Sequence, residues 1–124
     1  MRFVLADENT DVRFALGIRL AQESDVSVVG EAANARELIS QIETTRPDII
    51  FLDWELPGMA IIDLMDAIRD VMDLAVVILS THNRAEQSAL AIGADAFVCK
   101  TSPPEVLIKT VNTVVQGLNY SEAR

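Results

Sequence analysis

Five short apolar runs alternate with five segments of helical periodicity, and this alternation limits the fold more than any other feature of the sequence. Strict alternation of strands and helices favours a parallel sheet with helices on both faces. Two of the runs, Ile49–Leu52 and Ala75–Leu79, are continuously apolar, as expected for strands that are covered on both faces. We therefore expect an α/β fold: a doubly wound, five-stranded parallel sheet of flavodoxin-like order 2-1-3-4-5 with five helices.

The same pattern predicts the bounds of each element. A cap residue followed three positions later by Glu supports helix starts at Asn34 and Asn83, and Gly117 is expected to end the last helix. The predicted strands are Arg2–Ala6, Val26–Glu31, Asp48–Asp53, Leu74–Ser80 and Ala96–Lys100. The predicted helices lie near Thr10–Gln22, Asn34–Thr44, Ile61–Val71, Asn83–Ile92 and Pro103–Gln116.

Composition limits the class of protein. The chain has 124 residues, half of them hydrophobic, which is enough for one domain with a substantial core. A net charge of −9 argues against nucleic-acid binding by this chain alone and would suit a site for a divalent cation. Cys99 is the only cysteine, so a disulfide framework is excluded and a reducing compartment is favoured. No apolar run approaches the ~20 residues of a membrane span, and the N-terminus lacks the layout of a secretory signal, so we expect a soluble cytoplasmic domain without a membrane partner.

Polar side chains follow the carboxyl ends of four predicted strands, where open parallel sheets bind their ligands. Three carboxylates at one sheet edge repel by roughly several kcal/mol and can coexist only with a cation among them. Oxygen ligands suit Mg²⁺ or Mn²⁺ better than zinc, because His82 and Cys99 have no partner at ligand spacing. The polar residues are Asp7 and Glu8 after the first strand, Asp53 at the end of the third, Ser80 and Thr81 at the fourth, and Lys100 at the fifth.

This set of groups suits the chemistry of a phosphoryl group. Asp53 can act as a nucleophile and form an aspartyl phosphate. The cation and Lys100 would neutralise charge on the transferred oxygens, and Ser80 would hydrogen-bond one of them afterwards. Each residue alone has an ordinary structural explanation, but their placement on four strand ends predicts one site.

The ordered motifs resemble the receiver domain of two-component response regulators over essentially the whole chain, and most of all the NarL-like branch. The resemblance rests on Asp7-Glu8 in LADENTDVR, on LDWELPGM around Asp53, on Ser80, and on GADAFVCK ending in Lys100. It implies that residues 1–120 form the receiver domain. Residues 121–124 would be a C-terminal tail, and would begin a linker if an output domain has been removed.

The resemblance also implies how the acidic site works. Asp53 would be the phosphoacceptor and would take phosphate from a histidine kinase. Glu8 and Asp53 would bind Mg²⁺ with the backbone carbonyl of Glu55, while Asp7 would hold a coordinated water. Lys100 would grip the phosphoryl group.

A switch and its readout are implied as well. Ser80 would also hold the phosphoryl group, and Phe97 would turn inward when Ser80 moves toward the phosphate. The surface of the fourth helix, fifth strand and fifth helix would then change and control an output, with transcription as the expected one. That surface, or the face of the first and fifth helices, would carry a homodimer, and DNA would be bound only through a missing output domain.

Some positions depart from the family pattern or modulate the site. Ile61 stands where the family often has Gly, so we expect the third helix to be shifted or frayed. Trp54, Glu55, Thr81 and His82 lie where side chains would modulate phosphorylation or its reversal.

Two other functions stay open at this point. A degenerate receiver, which no longer cycles phosphate, would act only as a protein-interaction module; Trp54, Glu55 and Ile61 favour this alternative. The pair Asp53 and Glu55 also resembles the paired acids of haloacid-dehalogenase-like phosphatases, a Mg²⁺-dependent enzyme class. Those enzymes have further acids on later strands, whereas here the extra acids precede Asp53, so we expect a signalling domain that is not an enzyme.

Overall fold

The computed structural model describes residues 1–122, with side chains up to residue 117, and within that range it has the five strands and five helices that the alternation predicts. The strands are β1 (Arg2–Ala6), β2 (Ser27–Ala32), β3 (Ile49–Asp53), β4 (Ala75–Ser80) and β5 (Ala96–Cys99). The helices are α1 (Thr10–Ala21), α2 (Ala35–Thr45), α3 (Ile61–Val71), α4 (Glu86–Ala91) and α5 (Pro104–Glu122), with a 3₁₀ turn at Asn83–Ala85 before α4.

The sheet has the strand order β2-β1-β3-β4-β5, and every neighbouring pair is parallel. This confirms the predicted doubly wound, flavodoxin-like fold. Because all strands run in one direction, the carboxyl ends of β1, β3, β4 and β5 lie side by side at one edge of the sheet. The predicted polar residues lie at these four ends or directly after them.

Apolar side chains cover both faces of the sheet. In β3, Ile50 and Leu52 pack into one core cluster with residues of α2 and α3, whereas Ile49 and Phe51 pack into a second with residues of α1 and α5. All residues of β3 and β4 are buried, so these strands are continuously apolar because both faces of the sheet are covered, as the sequence predicts. Burial of apolar surface, worth about 25 cal/mol per Å², holds β3 and β4 in place, and with them the residues at their carboxyl ends.

Of the two helix caps that the sequence predicts, one is confirmed and one is wrong. The Asn34 side chain accepts a hydrogen bond from Glu37 N at 2.9 Å, and the Glu37 carboxylate accepts one from Ala33 N, so the predicted cap of α2 is confirmed. The predicted cap at Asn83 is wrong, because Asn83 lies inside the 3₁₀ turn and α4 begins only at Glu86. Local turn geometry there takes precedence over the capping spacing.

The last helix also differs from its predicted bounds. It begins at Pro104, one residue later than expected, and continues through Gly117 to Glu122. The prediction that Gly117 ends the helix is wrong, because this glycine does not have the positive φ of a C-terminal cap, unlike Gly58 and Gly93. The helix therefore enters the segment 121–124 that the sequence assigns to a tail, and residues 123–124 lie outside the described part.

The third helix forms at the predicted bounds, Ile61–Val71, and is not shifted. Ile61 is partly buried against the core cluster on the α2 and α3 face, so its side chain supplies packing at the first turn. None of the helices in the described part of the chain is long and apolar enough to span a membrane.

Candidate functional site

The first group of site residues follows β1. Asp7 is buried, and its Oδ1 accepts a hydrogen bond from Asn9 N at 2.9 Å, which closes a tight turn after the strand. Asn9 then caps α1 by accepting from Asp11 N and Val12 N. This turn and cap leave Glu8 exposed at the carboxyl edge of the sheet.

The second group follows β3 and repeats the same local geometry. Asp53 is buried, and its Oδ1 accepts a hydrogen bond from Glu55 N at 3.1 Å. The loop is held further by Trp54 N, which donates to Leu79 O at 2.8 Å, and by Leu56 N, which donates to Asp53 O at 3.1 Å. β3 therefore ends with Asp53 in a turn whose hydrogen bonds hold the backbone around Glu55 in place.

The third group comes from the carboxyl ends of β4 and β5, which are linked by a backbone hydrogen bond. Lys100 N donates to Ser80 O at 2.7 Å, so the two residues share a backbone hydrogen bond. Ser80 is buried, and its Oγ accepts from His82 N at 3.0 Å. A movement of Ser80 is thus coupled to the chain at Lys100 and at His82.

Lys100 joins the groups by ion pairs. Its Nζ lies 2.6 Å from Asp7 Oδ2 and 3.1 Å from Asp53 Oδ1. Burial of the ammonium group by itself lowers the pKa of Lys100, but the hydrogen bonds and charges of Asp7 and Asp53 outweigh it, and the pKa is raised. The cation that the sequence requires among the carboxylates is, in this arrangement, the lysine itself.

The same arrangement bears on the predicted metal ion. Among the described residues, no three His, Cys, Asp or Glu side chains form a cluster that could already hold a metal. The Glu8 side chain is exposed, and Lys100 Nζ pairs with both Asp7 and Asp53. The donor set itself fits Mg²⁺ or Mn²⁺, because it consists of carboxylate and carbonyl oxygens, and Glu8 is at the surface, where packing does not oppose its rotation.

The remaining predicted residues surround this centre. Phe97 and Trp54 are partly buried and pack against the same core cluster, on the α2 and α3 face of the sheet. Thr81 and His82 are exposed beyond the end of β4. The structure thus brings Asp7, Asp53 and Lys100 into contact, while Glu8, Thr81 and His82 lie at the surface.

One residue at the site is absent from the sequence-based set. Arg13, on α1, donates from Nη1 to Asp7 O at 2.5 Å and to Glu8 O at 3.4 Å, and from Nε to Glu31 Oε1 at 2.9 Å. The available signal was an arginine one turn into the helix that follows the acidic pair, with an acid near the end of the neighbouring strand. Contacts to backbone carbonyls leave no mark in the sequence, which is why the residue was missed.

Comparison with known proteins assigns residues 3–112 to the family model described as the response regulator receiver domain. The chain is 36% identical over 113 residues to the uncharacterized transcriptional regulatory protein YhcZ of Bacillus subtilis, covering 89% of this chain and 53% of that protein. It is 32% identical over 117 residues to the nitrate/nitrite response regulator protein NarL of Escherichia coli K12, covering 92% of this chain and 54% of that protein. The chain therefore spans about half the length of these relatives.

A solved structure of a similar protein supports the same assignment. The isolated receiver domain of RcsB from Salmonella enterica serovar Typhimurium, determined in the presence of the phosphomimetic BeF₃⁻, superposes with a TM-score of 0.87 at 25% identity. The match covers 94% of this chain and 89% of that one. Sequence and fold comparisons thus agree with the resemblance found in the motifs.

Proposed function

Because this chain belongs to the response regulator receiver family, a family of phosphorelay signal transduction, we propose that it accepts a phosphoryl group on Asp53 in a Mg²⁺-dependent reaction. The observation that carries the proposal is the pair of short contacts from Lys100 to Asp7 and Asp53, two buried carboxylates at adjacent strand ends. A buried acid with a matched cation beside it suits a nucleophile that must receive a highly charged group.

Each residue has a role in this proposal. A carboxylate oxygen of Asp53 attacks phosphorus, and the bond from phosphorus to the donor breaks as the new bond forms. The donor would be a phosphohistidine of a histidine kinase, whose imidazole leaves. The Lys100 ammonium group neutralises charge on the transferred oxygens, and the Ser80 hydroxyl holds one of them afterwards. Glu8, Asp53 and the Glu55 carbonyl would bind the metal, with Asp7 holding one of its waters.

The bound cation would supply charge neutralisation at the phosphoryl oxygens and a template for their orientation. In the proposal, metal binding requires Lys100 to loosen its contact with at least one of the two carboxylates. The exposed Glu8 side chain can then complete the oxygen donor set.

The switch would run from Ser80 along β5. Ser80 and Lys100 share a backbone hydrogen bond, and Phe97 lies on β5, which ends one residue before Lys100. A movement of Ser80 toward the phosphate would let Phe97 turn inward and change the surface of α4, β5 and α5. Trp54, Glu55, Thr81 and His82 border the phosphorylation site and would set the lifetime of the phosphate, because side chains at the mouth of the site control access of water.

Partners and output follow from the relatives as proposals. YhcZ and NarL are named as regulatory proteins, and this chain matches about half of each, so we propose that this protein is cytoplasmic, receives phosphate from a histidine kinase and has transcription as its output. DNA would then be bound by an output domain rather than by this acidic chain. Two faces are proposed for a homodimer, one of α4, β5 and α5 and one of α1 and α5.

Phosphorylation of the purified 124-residue chain tests the proposal. Acetyl phosphate with Mg²⁺ should add one phosphoryl group, detected by mass spectrometry, and BeF₃⁻ should change the Trp54 fluorescence only when Mg²⁺ is present. Asp53→Asn should abolish both effects, because the amide is not a nucleophile. Asp66→Asn is the matched control, since it makes the same chemical change at an exposed position on α3.

Light scattering of the same samples tests whether phosphorylation changes the oligomeric state. The phosphoacceptor proposal would be overturned if acetyl phosphate left the wild-type chain unmodified and BeF₃⁻ had the same effect on Trp54 fluorescence in wild type and in Asp53→Asn. The chain would then be a receiver that acts only as an interaction module. Rapid turnover of a small phosphomonoester would instead favour the phosphatase alternative.

A further inference from the structure

The Arg13 side chain connects three parts of the carboxyl edge of the sheet. Its guanidinium group donates to the backbone carbonyls of Asp7 and Glu8, to the Thr10 hydroxyl at 3.3 Å, and to the Glu31 carboxylate at 2.9 Å. Only 14% of the Arg13 side chain is exposed, and its bond to the Asp7 carbonyl is part-buried, whereas the Glu31 carboxylate is accessible to water. Several donors in one plane reach acceptors on β2, the β1–α1 loop and the first turn of α1, which a flexible point charge such as lysine cannot reproduce.

These contacts fix the peptide planes of the two acids. With the carbonyls of Asp7 and Glu8 turned toward Arg13 and the Asp7 carboxylate held by Asn9 N, the loop backbone has little freedom. The Glu8 carboxylate itself forms no hydrogen bond or ion pair within the described residues. The direction of this exposed side chain therefore depends on the backbone that Arg13 holds.

The charge of Arg13 has the opposite effect on a cation. A positive group beside a divalent metal site repels the metal, so removal of that charge alone would tighten metal binding. The ion pair with Glu31 offsets part of this repulsion. Positioning and charge thus predict changes of opposite sign, which makes them separable by experiment.

We propose that Arg13 is a positioning residue for the divalent cation: it holds the Asp7–Glu8 backbone so that the Glu8 carboxylate is directed at the metal, and Glu31 orients Arg13 for this task. The inference rests on the proposed Mg²⁺ site. It adds to that site a supporting layer from α1 and β2 that contacts neither the metal nor the phosphate.

Titration of Mg²⁺ against Trp54 fluorescence tests the inference, because Trp54 follows Asp53 directly. Arg13→Met and Arg13→Lys should each weaken Mg²⁺ binding by roughly tenfold, as outer-shell changes at metal sites do. Arg19→Met is the matched control: it removes the same charge from the same helix, but Arg19 contacts Gln22 and Glu23 rather than the acidic loop. It should leave Mg²⁺ affinity unchanged or slightly raised.

A double-mutant cycle of Arg13→Met and Glu31→Gln separates a positioning role of Arg13 from an effect on the stability of the fold. Glu31→Gln should weaken Mg²⁺ binding in the wild-type background and have no effect on it in Arg13→Met, because Glu31 acts through Arg13. Urea unfolding without Mg²⁺ shows which variants are folded under the conditions of the titration. If Arg13→Lys is folded and binds Mg²⁺ as tightly as wild type, or if Arg13→Met binds it more tightly, the inference is overturned. Absence of Mg²⁺ binding in the wild-type chain would overturn the proposed function instead.

Discussion

The ammonium nitrogen of Lys100 lies 2.6 Å from a carboxylate oxygen of Asp7, although 93 residues separate the two in the chain. Lys100 also pairs with Asp53, so a single side chain balances both buried acids of the site. The two acids therefore share one counter-ion that belongs to the fold itself. In the proposed function, a bound metal and the lysine would therefore compete for carboxylate oxygens at this site.

Loss of the lysine charge should strengthen metal binding. In Lys100→Met, Asp7 and Asp53 lose their cation, and we expect Mg²⁺ affinity to rise roughly fivefold, equivalent to about 1 kcal/mol. Transfer of the phosphoryl group should become slower at the same time, because the charge on its oxygens is no longer neutralised. Trp54 fluorescence titration measures the first effect, and the rate of labelling by acetyl phosphate measures the second.

A matched variant controls for net charge. Lys109→Met makes the same substitution at an exposed position on α5 and should change neither quantity. Weaker Mg²⁺ binding in Lys100→Met than in wild type would show that the lysine supports the metal instead of competing with it.

The pH dependence of stability should also depend on Lys100. Its pKa is raised in the folded state, so folding favours the protonated form. The stabilising contribution is complete below the ordinary lysine pKa and is lost as the pH rises through the raised folded value. Urea unfolding of wild type and Lys100→Met from about pH 8 to about pH 12 should therefore show a stability difference that stays constant at first and then shrinks. A difference that grows with pH would contradict the assignment of the ion pairs.

A second arginine should matter for stability rather than for the site. Arg69 donates to Leu74 O, to Gly93 O at 3.0 Å and to Asp95 Oδ2 at 3.4 Å, and Asp95 Oδ2 also accepts from Val76 N. Arg69→Met should lower the free energy of unfolding by about 1–3 kcal/mol, because the carbonyl of the buried Leu74 loses its donor. Arg36→Met, at an exposed position on α2, is the control and should change it by less than about 0.5 kcal/mol. Equal urea midpoints for the two variants would contradict this role.

Periodicity and strand-end chemistry were sufficient to predict the fold and the centre of the site. The continuous apolar runs of β3 and β4 implied a sheet covered on both faces, and parallel strands necessarily bring Asp7, Asp53 and Lys100 to one edge. The strand order places Lys100 two strands from Asp53 and three from Asp7, so the ion pairs also need the long lysine side chain to reach across the sheet edge. The alternation of strands and helices is a long pattern that the sequence displays directly, whereas the strand order is the common one for five such units and is not read from the sequence.

Features set by single turns or backbone contacts were less accessible. The start of α4 was misplaced because the segment after His82 forms a 3₁₀ turn, although Asn83 has the spacing of a cap. The sequence predicts that α5 ends at Gly117, but the helix continues to Glu122, because glycine is also tolerated inside a helix at a cost of about 1 kcal/mol. The role of Arg13 is not visible in the sequence because its acceptors in the acidic loop are carbonyl oxygens, which every residue possesses.

Two glycines with the same backbone conformation give the last prediction. Gly58 and Gly93 have φ values of 106° and 102°, so a side chain is strained at either position. At Gly58 an added Cβ would also lie 3.3 Å from the backbone nitrogen of Ala35, which donates to Pro57 O and ties the β3–α3 loop to α2. At Gly93 the nearest atom is the end of the Met65 side chain, at 4.0 Å.

Gly58→Ala should therefore lower the free energy of unfolding by about 2–3 kcal/mol, and Gly93→Ala by about 1–2 kcal/mol, in urea denaturation. Only Gly58→Ala should also weaken Mg²⁺ binding in the Trp54 titration. Its loop carries the Glu55 carbonyl, and a displaced Ala35–Pro57 hydrogen bond would move that segment, whereas Gly93 lies in the loop before β5, at the opposite end of the strand from Lys100. Equal loss of Mg²⁺ affinity in both variants would show that general destabilisation, rather than the position of the β3–α3 loop, governs the metal site.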